Sequence, residues 1–65
     1  MKCLEFHVCV AHLVSKVAGL PLKDVDADFN VNSYFDDGAE KDEQILAAHL
    51  CADEILRENG FIDFE

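Results

Sequence analysis

The sequence predicts an all-α domain: two helices joined by a long, structured acidic loop. Three observations lead there. Cys3, Phe6, Val10, Leu13, Val17 and Leu20 step by 3, 4, 3, 4 and 3, which lines one face of a helix. Residues 39–60, AEKDEQILAAHLCADEILRENG, have acids in their first turn and Asn59-Gly60 at their end, the marks of a helix start and stop. Between them, residues 20–39 hold Pro21, Gly38, Asn30, Asn32 and most of the aspartates, which is loop chemistry.

The first element has a competing period. Leu4, Phe6, Val8 and Val10 alternate with Glu5, His7 and Cys9, a strand signal over residues 3–10 that would make the fold α+β. The helical stripe accounts for eighteen residues and the alternation for about seven, so helix is the stronger reading. Gly19 and Pro21 supply its stop. The heptad-like spacing also makes this stripe a candidate for self-association, with Phe6, Val10, Leu13 and Val17 as the contacts of a homodimer.

In the loop, Leu20, Leu22, Val25, Phe29, Val31, Tyr34 and Phe35 are too apolar for a free linker. They are expected to fold back on the helices, with short helical turns around 24–28 and 32–36. In the last helix Ile45, Ala48, Ala52 and Ile55, flanked by Leu46, His49 and Leu56, form the expected apolar face, opposite Glu43, Ala47, Glu54 and Glu58. The tail FIDFE is expected to dock as a short strand or to cover the core.

Sixty-five residues make a single domain, 1–65, of a size at which burial is marginal and a partner or second copy is a common aid. At 51% hydrophobic residues the chain is not disordered by composition. Its net charge of −9 is unevenly spread: Lys2, Lys16 and Lys23 outweigh Glu5 in residues 1–23, whereas residues 24–65 set thirteen carboxylates against Lys41 and Arg57. Such a chain repels nucleic acid and anionic membranes and attracts basic protein surfaces. No apolar run approaches the roughly 18–20 residues that span a bilayer. MKCLEFHVCVAHLV begins like a signal peptide, but Glu5, His7 and His12 interrupt it, so the expected location is the cytoplasm. Cys3, Cys9 and Cys51 are an odd set without secreted-scaffold spacing and are expected as reduced thiols.

DVDADFNVNSYF, residues 24–35, resembles the first part of dockerin and EF-hand calcium loops, with Asp24, Asp26 and Asp28 at positions 1, 3 and 5. Those loops need glycine at position 6 and a bidentate carboxylate at position 12, where this chain has Phe29 and Phe35. KVAGLPLKDVDADFNVNSYFDDGAEKDEQILAAHL is similar to acyl and peptidyl carrier proteins from the end of their first helix into their second. The resemblance implies a helix, long loop and helix. The carrier arm needs a serine after the loop glycine, and Gly38 is followed by Ala39-Glu40-Lys41-Asp42.

Cys3, His7, Cys9, His12, His49 and Cys51 are zinc-ligand types, but on helices they diverge rather than pair, and only a strand at 3–10 would align Cys3, His7 and Cys9. Ser15 and Ser33 lack a nucleophile-elbow context. The sequence therefore predicts no catalytic residues, no metal and no cofactor.

What stands out is charge. Asp24, Asp26, Asp28, Asp36, Asp37, Glu40, Asp42 and Glu43 crowd one window with Lys41 as its sole base, and Tyr34 and Phe35 lie among them. Carboxylates with aromatic anchors suit a surface that occupies an Arg/Lys-rich protein site, one that otherwise holds nucleic acid. In size, acidity and cysteine content the chain is similar to phage and mobile-element inhibitors of host nucleases, anti-CRISPR proteins among them. The resemblance implies a non-enzymatic nucleic-acid mimic; the alternative is a homodimeric helical module whose acids only keep it soluble.

Overall fold

Residues 3–18 are helical throughout, so the all-α expectation holds and the N-terminal strand falls away. In a computed structural model that describes residues 1–62, the chain forms α1 (Cys3–Ala18), α2 (Leu22–Asp26), a 3-10 turn (Val31–Tyr34) and α3 (Lys41–Glu58). Among the described residues there is no strand. The burial pattern gives the reason. Phe6, Val10 and Val14, four apart, are fully buried, while Leu4 and Val8, which a strand would bury with them, are 76% and 61% exposed.

The helix ends follow their local chemistry. The Lys2 amide donates to Glu5 Oε1 at 2.7 Å, half of a capping arrangement at the start of α1. Gly19 ends α1 in the left-handed region at φ 72°, its amide donating to the Ser15 carbonyl at 2.8 Å. Pro21 then opens α2, its carbonyl accepting from the amides of Asp24 and Val25. Asn59 closes α3: its side-chain amide donates to the Ile55 carbonyl at 2.8 Å, before Gly60 turns the chain at φ 79°.

The core is made by Phe6, Val10 and Val14 of α1, by Ala48, Cys51, Ala52, Ile55 and Leu56 of α3, and by Val31 of the 3-10 turn. Small residues on α3 let the two long helices approach closely. Leu13, Leu22, Val25, Phe29, Tyr34, Phe35 and Ile62 close around this centre, half-buried, so the loop folds back as its apolar content required. The short turns expected around 24–28 and 32–36 form slightly earlier, as α2 and the 3-10 turn. Of the tail, Ile62 packs partly on the core and Phe61 is 39% exposed; Phe64 lies outside the described residues.

Two stripes are corrected by rotation. On α1, Val14 is buried while Val17 is 54% exposed, because the line against α3 runs 6, 10, 14. On α3, Gln44 and Cys51 turn inward, and Ile45, Leu46 and His49 turn outward.

Two sets of contacts relate the long helices to each other and to the loop. Near their starts, Phe6 meets Phe35 with ring centroids 5.2 Å apart, and the neighbouring Asp36 carbonyl accepts from Gln44 Nε2 at 3.0 Å. Near their ends, Leu13 and Val17 share a shallow hollow with Ala52 and Leu56. The connection between them is bonded to the end of α3 through Asp26 and to its start through Asp36, so it runs back along that helix.

Candidate functional site

That return path decides where the acids lie. Asp26 Oδ2 accepts from Asn59 Nδ2 at 3.1 Å, which holds α2 at the C-terminal end of α3. Asp36, through its carbonyl to Gln44, sits at the N-terminal end. Asn59 lies fifteen residue steps beyond Gln44 along α3, a rise of about 22 Å. The single acidic face expected from residues 24–43 is thus two groups at opposite ends of one helix.

At the C-terminal end, Asp24 and Asp28 are exposed and Asp26 is half-buried. At the other end Asp36, Asp37, Glu40, Asp42 and Glu43 are all exposed. Asp36 Oδ1 accepts from the Gly38 amide at 3.0 Å, which shapes the turn into α3. Asp42 and Glu43 occupy the first turn of α3, where the helix dipole favours their charge. The one salt bridge among the described residues is Arg57 Nε to Asp53 Oδ2, 3.0 Å apart along the outside of α3.

The two expected aromatic anchors are half-buried rather than projecting. Phe35 rests against Phe6, and the Tyr34 ring stacks with Phe29 at 6.0 Å. The Tyr34 hydroxyl is pushed up from its ordinary pKa by burial first and then by Glu54, Cys51 and Glu58. Glu54 and Glu58 are therefore part of the charged surroundings of the loop, and the sequence reading left them out. Their i, i+4 spacing was visible, but nothing in the sequence places Tyr34 beside them.

Of the residues expected to self-associate, Phe6 and Val10 are fully buried inside the chain, Leu13 is half-buried, and Val17 alone is well exposed. α3 covers that stripe, so it is core before it is surface. Outward-facing apolar residues stand elsewhere, at Leu4 and Val8 on α1 and at Leu46 and Leu50 on α3.

Asn32 ties the 3-10 turn to α1: its Oδ1 accepts from Cys3 Sγ at 3.3 Å and pairs with His7 Nε2. Among the described residues, no group of three His, Cys, Asp or Glu side chains converges as metal ligands. All three cysteines are free; Cys3 is exposed, Cys9 half-buried and Cys51 buried, with burial pushing the Cys51 thiol up to about 11. An open, largely apolar hollow of about 470 Å³ lies between α1 and the loop, bounded by Val8, Ala11, Leu22, Phe29 and Val31. No helix among the described residues is long and apolar enough to cross a membrane.

No protein-family model, curated protein or solved structure matches this chain.

Proposed function

We propose that the protein binds, through its carboxylates, a basic surface of a partner that otherwise holds nucleic acid. The observation that carries this reading is the spacing of the two acidic groups along α3. A separation of about 22 Å corresponds to about six steps along one strand of a duplex, each rising about 3.4 Å. Exposed carboxylates at both ends of a rigid helix offer negative charge where a phosphate backbone would, with little conformational cost on binding.

The partner in this reading is a nucleic-acid-binding protein or complex, as in the small inhibitors that phage and mobile elements direct at host nucleases. Binding is stoichiometric and non-catalytic. Attraction between exposed charges is screened by salt, with a screening length of about 10 Å at 0.1 M, so the complex weakens steeply as salt rises. The test is displacement of a labelled duplex from a panel of DNA-binding proteins at low and high salt. Displacement from one or more of them at low salt, lost at high salt, supports the reading. Displacement that ignores salt, or none from any member, refutes it.

A further inference from the structure

Cys3 and His7, four residues apart on α1, are neighbours on one helix face. Both reach the same atom. Asn32 Oδ1 accepts from Cys3 Sγ at 3.3 Å and pairs with His7 Nε2, across twenty-nine and twenty-five residues of sequence. One amide oxygen thus gathers a thiol and an imidazole, the two side chains that zinc takes most readily. Four residues apart on a helix is also the spacing at which paired helical ligands hold that ion. Asn32 belongs to the 3-10 turn, so the third donor comes from a separate element, and no spacing along the chain discloses it.

The distances decide how much has to move. Zinc bonds of about 2.3 Å to sulfur and about 2.1 Å to nitrogen or oxygen, spread tetrahedrally, set sulfur about 3.6 Å and nitrogen about 3.4 Å from the oxygen. Cys3 Sγ already stands within a few tenths of an ångström of its separation. His7 Nε2 is closer to Oδ1 than an ion would hold it, and rotation of the exposed Asn32 side chain opens that gap. Cys3 is exposed too, and His7 borders the open hollow of about 470 Å³, so an ion has a path in and solvent supplies its fourth ligand. The flanking Lys2 and Glu5 offset each other, and the net charge of −9 favours taking up a cation.

We propose that Cys3 Sγ, His7 Nε2 and Asn32 Oδ1 bind one Zn²⁺ ion. Binding releases the Cys3 thiol proton, and the imidazole carries its proton on Nδ1 once Nε2 holds the metal. The ion joins α1 to the 3-10 turn and so stabilises the folded chain. With two strong ligands and one amide oxygen, the site is weaker than a four-ligand structural centre. It stands independently of the acidic-surface reading.

The experiment titrates the whole reduced chain with Co²⁺, a coloured stand-in for Zn²⁺, and then adds Zn²⁺. A thiolate-to-cobalt absorption band is expected to saturate at one ion per chain and to bleach as Zn²⁺ displaces it. Cys3→Ser is expected to abolish the band, and His7→Gln and Asn32→Ala each to weaken binding about tenfold or more. Cys9→Ser, which removes a thiol from another face of α1, is expected to bind as wild type does. Circular dichroism checks that each variant folds. A second readout needs no variant: Zn²⁺ is expected to slow alkylation of Cys3 in wild type about tenfold or more and to leave the rate at Cys9 unchanged. The proposal is overturned by the absence of a band, by a band that survives Cys3→Ser or is lost in Cys9→Ser, by wild-type binding in His7→Gln or Asn32→Ala, or by alkylation of Cys3 that ignores Zn²⁺.

Discussion

Asp26 and Asn59 are joined side chain to side chain across thirty-three residues of sequence, at 3.1 Å. This single bond fastens the short helix α2 to the end of α3 and so separates the first acidic group from the second. Asn59 also donates to the Ile55 carbonyl at 2.8 Å, so the same amide closes α3. Asn59→Ala is expected to cost about 1–2 kcal/mol, the usual range for losing a neutral cap and a bond to a charged acceptor at an exposed site. Hydrogen exchange should quicken at the Asp24 and Val25 amides while those of α1 stay protected. Unchanged exchange in α2 contradicts the fastening role.

Phe6 is fully buried and in ring contact with Phe35. Phe6→Ala is expected to cost about 3–5 kcal/mol, the range for deleting a core phenylalanine. Domains of this size are often only about 5 kcal/mol stable, so the variant should be largely unfolded at 25 °C. A urea midpoint close to wild type contradicts this account of the core.

Gly19 sits at φ 72° with open space around the position of a Cβ, so a substitution there meets backbone strain alone. Gly19→Ala is expected to lower stability by about 1 kcal/mol, and Gly19→Asn by less, because asparagine tolerates the left-handed region better. Equal costs for the two would show that the cap is not what matters there.

The cysteines should react in the order of their exposure. Cys3 is expected to be alkylated first and Cys9 more slowly, with Cys51 protected until the chain unfolds, since its thiol is buried and its pKa is about 11. The same burial sets a pH dependence. Above the ordinary value of 9.0 the unfolded chain loses the Cys51 proton while the folded chain keeps it, so stability falls from about pH 9 and levels off above about 11. Tyr34, also raised, acts with the same sign at slightly higher pH. Peptide mapping of alkylation and urea titrations at pH 8, 9, 10 and 11 check both. Stability that rises over this interval is the contrary result.

Much of the fold was legible because helix starts, stops and periods are local. Gly19, Pro21 and Asn59-Gly60 marked ends that the structure keeps. The faces were read less well, since hydrophobicity ranks side chains without knowing what meets them. Gln44 turns inward because its amide reaches the Asp36 carbonyl, a pairing no spacing rule contains, while Leu46 and Leu50 turn outward despite their apolarity. The acidic residues were misread in a different way. Residues 24–43 are one window along the chain, but the segment between Asp28 and Asp36 runs back along α3, and neighbours in sequence become opposite ends in space.

The central claim is that both ends of this acidic surface engage one basic partner. The most direct measurement is duplex displacement by two double variants, Asp24→Asn with Asp28→Asn at one end, and Asp37→Asn with Glu40→Gln at the other. Among the described residues none of these four side chains makes a hydrogen bond that holds the fold, so helicity should be unchanged. The account predicts that each double variant displaces the duplex at least tenfold less well than wild type, a loss of about 1.4 kcal/mol or more, and that combining them abolishes displacement. Wild-type displacement by both variants would contradict it and leave the carboxylates as a solubilising surface.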